Sequence, residues 1–290
     1  MKTKFIYTLL LSFIFIACEK NPPVGNIPTD TDKPSNLAER IIKDTAYGAD
    51  PKQKMDIYLP AGRTTNTKTI VLVHGGAWIG GDKNDLQNFV TLFRKKWPEA
   101  AIININYRYA NGKNILLNNL LDDMESAMKL YNDNRVNFQV SDKQALFGAS
   151  AGGHLVLMYA YTNRNKGNIK CVADLFGPSK INDWDLYNNS VIFPYATWFQ
   201  MITGSTYNEE LYKSVSPLEF VKSNAPPTII FHGTLDVLVP IRHSQQLKAK
   251  LDGVKVPNEM IEYFEGHGFS ETKNDDCATR CVIFFKNNMK

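Results

Sequence analysis

The sequence predicts an α/β domain: a mostly parallel, open sheet with helices on both faces and a small cap inserted late in the chain. Three observations predict it. Apolar runs of strand length alternate with helix-period segments from residue 37 onward. The runs are flat in pattern, as strands covered on both faces are. One aromatic-rich interval, residues 179–214, then breaks the rhythm. With 290 residues and 43% apolar side chains, the chain has material for one sizeable core.

Residues 1–17 stand apart from that fold. Lys2 and Lys4 give a positive start, an apolar run from Phe5 to Ala17 follows, and Cys18 comes next. This is the anatomy of a secretory signal peptide, and about a dozen apolar residues are too few to span a bilayer. The run Phe15-Ile16-Ala17-Cys18 is similar to a bacterial lipoprotein signal, which implies that Cys18 becomes a lipid-bearing amino terminus and that the protein is an extracytoplasmic, membrane-anchored lipoprotein. The plainer reading is a secreted protein with a chance cysteine. Residues 18–36 then form a tether, since four prolines, one glycine and few apolar side chains cannot bury enough surface to fold.

The expected strands follow in order. The segment 47–60, with MDIYLP in it, suits antiparallel strands at the leading edge. Residues 69–73 (TIVLV), 100–105 (AAIINI), 145–147 (ALF), 172–176 (VADLF) and 228–231 (TIIF) read as buried parallel strands, and 261–264 (IEYF) as another. Between them, residues 118–131 place Leu120, Leu121, Met124, Ala127, Met128 and Tyr131 on one helical face. Asp122, Asp123, Glu125 and Lys129 fall on the other. The domain is thus expected to occupy residues 37–290, with 179–214 either a cap over a binding site or an insertion packed for stability.

The formal charge is only +4 and no basic block stands out, which argues against nucleic acid as a partner. Cys277 and Cys281, four residues apart on the last amphipathic segment, suit a disulfide or simple packing, with the bridge favoured slightly; Cys171 reads as a buried small hydrophobe. A CxxxC pair lacks structural-zinc spacing, so neither metal nor cofactor is expected.

Gly148-Ala149-Ser150-Ala151-Gly152 matches G-x-S-x-G, with a strand running into it and a helix out of it. That setting lifts a serine on a strained turn at the carboxyl edge of a sheet. A serine hydroxyl needs a base, and the base needs a carboxylate. His267, between glycines after the IEYF run, is the chosen base; His74, His154, His232 and His243 all have structural explanations. Asp236 follows the TIIF strand and projects from the same edge. The Gly75-Gly76 pair ends the TIVLV strand, where main-chain N–H groups can approach a developing oxyanion. Gly76, Ala77 and Ala151 are the candidate donors.

Taken together, HGGAWIGGDK, INYRYAN, GASAGGHL, HGTLDVLVP and EGHGF resemble the α/β-hydrolase superfamily. Within it they resemble the HGGxW/HGGG esterase group of hormone-sensitive-lipase-like carboxylesterases and bacterial feruloyl and acetyl-xylan esterases. The resemblance covers about residues 40–290, with the chain order Ser, Asp, His typical of that superfamily. It implies an α/β-hydrolase fold, Ser150 as nucleophile, Asp236 and His267 as its partners, and the HGGAW loop as oxyanion hole. Residues 107–111 (YRYAN) replace the fuller NYRLAPE stretch of the lipase-like branch, which leaves the subfamily open. The expected substrate is a carboxylic ester, acetyl or feruloyl esters on plant polysaccharides being candidates, with Trp78, Trp184 and Trp198 as rings facing it. The alternatives are a serine peptidase of the prolyl-oligopeptidase kind, a formamide hydrolase and a catalytically silent binding protein.

Overall fold

A computed structural model of the chain describes residues 35–162, 164–188 and 192–290. The signal segment 1–17, Cys18 and the tether as far as residue 34 lie outside the described residues. The strands are β1 (Arg40–Ala46), β2 (Lys54–Leu59), β3 (Thr69–Val73), β4 (Ala101–Ile105), β5 (Gln144–Ala149), β6 (Ile169–Leu175), β7 (Thr228–Gly233) and β8 (Asn258–Tyr263). The helices are α1 (Gln87–Lys96), α2 (Leu117–Asp133), the single turn α3 (Arg135–Phe138), α4 (Ala151–Tyr161), α5 (Trp184–Asn188), α6 (Tyr195–Thr203), α7 (Glu209–Lys213), α8 (Arg242–Gly253) and α9 (Glu271–Asn288).

Among the described residues these strands form one sheet in the order β1-β2-β4-β3-β5-β6-β7-β8. The first two pairings, β1 with β2 and β2 with β4, are antiparallel and the rest parallel. Strands β3 and β5 are buried at every position, which is why their sequences show no alternation. The leading edge differs from expectation in one respect: its outer strand lies upstream of residue 47. Residues 47–53 instead make the turn between β1 and β2, with the Gln53 N–H donating to the Asp50 carbonyl at 2.9 Å.

Each face of the sheet buries its own cluster. On one face Leu120, Leu121, Met124 and Met128 of α2 pack with Leu155 and Val156 of α4 and Leu247 of α8. On the other, Phe89 and Phe93 of α1 pack against Phe147 of β5 and Phe285 of α9. The Phe93 ring stands edge-on to Phe147 at 5.2 Å, and such a fully buried ring contributes about 3–5 kcal/mol relative to alanine. Helix α4 is buried at every position, so it reads as uniformly apolar rather than amphipathic.

Two sequence expectations need correction. Asp123 is buried, not on the solvent side of α2: Arg108 reaches it through Nε at 2.9 Å and Nη2 at 2.6 Å, and the Gln53 amide adds 2.7 Å. A carboxylate tolerates that burial because the guanidinium fork satisfies it. Cys277 and Cys281 are free thiols, both fully buried on α9. Side chains four apart on a helix have Cβ atoms about 5–6 Å apart. A disulfide needs roughly 3.5–4.5 Å, so the pair packs without bonding.

Candidate active site

Register aligns the strand ends that matter. Val73 of β3 pairs with Gly148 of β5, Gly148 with Asp174 of β6, and Gly233 of β7 with Tyr263 of β8. The segments that leave β3, β5, β7 and β8 therefore emerge together at the carboxyl edge of the sheet.

Ser150 caps β5 with φ 54° and ψ −122°, a conformation that β-carbon-bearing residues rarely adopt. Its N–H donates to the Leu175 carbonyl at 2.8 Å, and its own carbonyl accepts from the His154 N–H at 3.0 Å, which starts α4. The turn can be this tight only because of its glycines. A Cβ on Gly148 would lie 2.3 Å from the Gly152 oxygen, and one on Gly152 would lie 2.1 Å from the Val73 oxygen.

His267 sits on the loop after β8, its ring tilted against Phe176 with centroids 4.6 Å apart. Nε2 lies 2.9 Å from Ser150 Oγ and Nδ1 lies 2.7 Å from Asp236 Oδ2. With Nδ1 carrying the proton toward the carboxylate, Nε2 is left to accept the serine hydroxyl. Asp236 is satisfied on every side. Oδ1 accepts the N–H groups of Leu238 and Val239, both at 2.9 Å, and His232 Nε2 approaches Oδ2 at 3.3 Å. Burial works to raise this carboxyl, but hydrogen bonds from His232, His267 and the Val239 amide outweigh it and hold it far below the usual carboxylate range.

The Gly75-Gly76 segment follows β3. Gly76 has φ +113°, where a Cβ would meet the Gly80 oxygen at 2.2 Å, and Ala77 and Trp78 also take positive φ, 49° and 62°. Among the described residues no main-chain carbonyl takes the N–H groups of Gly76, Ala77 or Ala151. Around the turn, the Tyr107 hydroxyl donates to the His74 carbonyl at 2.9 Å and the Ala110 N–H to the Trp78 carbonyl at 2.8 Å. Residues 107–111 thus support the 74–78 turn from behind.

Beside Ser150 opens a cavity of about 50 Å³ lined by Ala77, Trp78 and Ala151 from the body and Tyr195, Trp198 and Phe199 from α6. Two of the three expected tryptophans are therefore at the cavity. Trp184 is not: it is half-exposed on α5, stacks on Tyr187 at 5.8 Å and meets Tyr207 edge to face at 4.8 Å. Sequence reasoning missed Tyr195, whose hydroxyl donates to the Leu238 carbonyl at 2.9 Å and so ties α6 to the loop after Asp236. It also missed Phe199. No period marks either residue in the sequence, although the aromatic density of residues 179–214 pointed to the segment.

The BD-FAE family matches residues 55–251. The chain is 25% identical over 245 residues to esterase LipC of Mycobacterium tuberculosis, covering 77% of this chain and 58% of that one. It is 25% identical over 245 residues to the isoprenylcysteine alpha-carbonyl methylesterase ICME of Arabidopsis thaliana, covering 78% and 56%. The chain thus spans little more than half the length of these curated relatives. Among solved structures it superposes on a truncated carbohydrate esterase from gut microbiota with a TM-score of 0.75 and 22% identity, over 89% of this chain and 99% of that one. With an inhibited esterase B from Lactobacillus rhamnosis the TM-score is 0.71 at 19% identity, over 89% of each chain.

Proposed function

Because the chain belongs to the BD-FAE family and has the α/β-hydrolase fold, we propose that it is a serine carboxylesterase working through an acyl-enzyme. The observation that carries this reading is the hydrogen-bonded series Ser150–His267–Asp236, at 2.9 and 2.7 Å, beside unspent main-chain N–H groups.

His267 Nε2 takes the Ser150 proton as Oγ attacks the ester carbonyl, and Asp236 stabilises the imidazolium that forms. The N–H groups of Gly76, Ala77 and Ala151 receive the oxyanion, a term worth roughly 10²–10³ in turnover per donor. The C–O bond to the alcohol then breaks and the alcohol leaves with the proton from His267. Water, deprotonated by the same imidazole, releases the acid and restores Ser150.

Cavity size selects among acyl groups. Its 50 Å³ is about a third of the roughly 150 Å³ that holds a benzene ring. Acetyl and other short acyl chains fit within it, whereas a feruloyl ring would extend out through its open side. Residues 179–214, through α6, act as the cap that sets this limit, with Trp78 and Trp198 as its aromatic walls. Of the plant-polysaccharide esters, this favours acetyl over feruloyl groups. Residues 1–17 are a signal peptide and Cys18 the lipid-bearing anchor, which puts the enzyme on an extracytoplasmic membrane surface. Loss of membrane fractionation in Cys18→Ser tests the anchor.

Hydrolysis of p-nitrophenyl acetate, butyrate and ferulate esters by wild type and Ser150→Ala tests the reading. Acetyl hydrolysis abolished in the variant is expected. Equal rates in the two proteins, or a preference for ferulate, would overturn it.

A further inference from the structure

His154 lies one helical turn after Ser150 and is fully buried; its main-chain N–H donates to the Ser150 carbonyl, but its ring hydrogen-bonds to neither Ser150 nor His267. Its ring is hydrogen-bonded at both ends. Nδ1 accepts the indole Nε1–H of Trp78 at 3.2 Å, with the two rings edge to face at 5.2 Å. Nε2 donates to the Val215 carbonyl at 2.8 Å, just past the cap. A neutral imidazole can accept from an indole and donate to a carbonyl at the same time. Burial keeps it neutral, pushing the ring down to about 4 although the Val215 carbonyl favours the charged form.

The partner it holds is in an unusual state. Trp78 and Ala77 both take left-handed backbone, which for residues with a β-carbon costs about 1–2 kcal/mol each. These two residues follow Gly76 directly, so their dihedrals fix where the Gly76 and Ala77 N–H groups lie relative to the Trp78 side chain. The carbonyl side of the turn is fixed by the Ala110 N–H. On the side-chain side, the polar anchor of Trp78 is His154.

Resting on the esterase reading above, we infer that His154 is a positioning residue for the oxyanion hole: by accepting the Trp78 indole proton it holds the left-handed Ala77–Trp78 turn, and so locks the donor amides to the helix that carries Ser150. Loss of that acceptor lets the turn relax toward ordinary backbone and carries the amides away from the oxyanion. The interaction matters when charge develops, so it moves kcat rather than KM.

The two ends of the ring can be separated. Asparagine places its amide oxygen near Nδ1 and keeps the acceptor for Trp78. Glutamine places its amide nitrogen near Nε2 and keeps only the donor to Val215. With p-nitrophenyl acetate, His154→Gln is expected to lose about 10- to 100-fold in kcat with KM within about twofold, while His154→Asn recovers most of the loss. In a Trp78→Phe background, where no indole proton remains, His154→Gln should add nothing further. Retention of wild-type kcat by His154→Gln, or an equal loss in His154→Asn, would overturn the inference. Should His154→Gln fail to fold, Trp78→Phe alone decides: a fall in kcat supports the inference and an intact kcat removes it. Ser150→Ala runs beside these variants. Equal rates in it and wild type would overturn the esterase reading and this inference with it, whereas an active wild type, an inert Ser150→Ala and an unaffected His154→Gln overturn this inference alone.

Discussion

His267 and Asp236 share a single short contact, 2.7 Å from Nδ1 to Oδ2, and His232 approaches that same oxygen at 3.3 Å. Oδ1 is meanwhile held by two main-chain amides, so the carboxylate cannot rotate away from the imidazole. Asp236→Asn preserves the shape but puts an N–H where the acceptor stood and favours the wrong tautomer of His267. A loss of about 10⁴ in kcat near neutral pH is expected, as for the equivalent change in serine proteases. Steady-state hydrolysis of p-nitrophenyl acetate measures it; a loss of less than about tenfold would show that the carboxylate does not orient the base.

The Ser150 turn makes a sharper structural demand. An alanine Cβ at position 152 would stand 2.1 Å from the Val73 oxygen and 2.5 Å from the His74 oxygen, and both belong to main chain that cannot step aside. Gly152→Ala should destabilise the domain by roughly 3 kcal/mol or more. In thermal melts that is a fall of about 6–12 °C for a domain of this size. A variant that melts with wild type and keeps full activity would mean that β3 and α4 do not approach this closely.

Those two predictions concern residues that were legible in the sequence, and the reason is physical. A serine held at φ 54° between close-packed strands leaves room only for glycine at 148 and 152. Buried strands at β3 and β7 must then end in turns that deliver His74-Gly75-Gly76 and Asp236 to one edge. What was not legible depends on partners distant in sequence. Asp123 looked solvated because nothing in residues 118–131 reveals that Arg108 folds over it. Trp184 looked like a substrate platform, yet it is occupied by Tyr187 and Tyr207, and the cavity belongs to Trp198 and Phe199 one helix later. His154 looked like an ordinary start to a helix because its indole partner is 76 residues away.

Trp198 offers a way to test whether the acyl group enters the cavity beside Ser150. It is partly buried and lines the cavity together with Trp78 and Phe199, so removing its ring opens one wall and leaves the fully buried core of α6 in place. In Trp198→Ala, kcat/KM for hexanoyl relative to acetyl p-nitrophenyl esters should rise about tenfold or more, since each methylene accommodated in an apolar pocket is worth about 1–3 kcal/mol. An unchanged chain-length profile would place the acyl group outside this cavity.

Asp174 supplies a test of the fold's electrostatics. It lies fully buried at the end of β6, where Oδ1 accepts the Gly177 N–H at 3.1 Å and Oδ2 finds no partner among the described residues. Burial raises its carboxyl to about 7, against the smaller opposing pull of His232 and the Gly177 amide. Between about pH 4 and pH 7 the folded protein therefore holds a proton that the unfolded chain has released. By linkage this contribution weakens the fold as pH rises through that window, by up to about 1.4 kcal/mol per pH unit. The buried histidines act in the opposite direction. His154, lowered to about 4, and His74 and His243, also lowered by burial, bind protons more readily when unfolded, so their contribution grows as pH rises toward 6.5. Asp174→Asn keeps the acceptor for Gly177 and cannot ionise, while leaving the histidine contribution common to both proteins. The melting temperature of Asp174→Asn minus that of wild type should therefore climb from pH 4 to pH 7 and level off above it. A difference that stays flat, or falls, across this range would mean that Asp174 is ionised in the folded protein at acid pH.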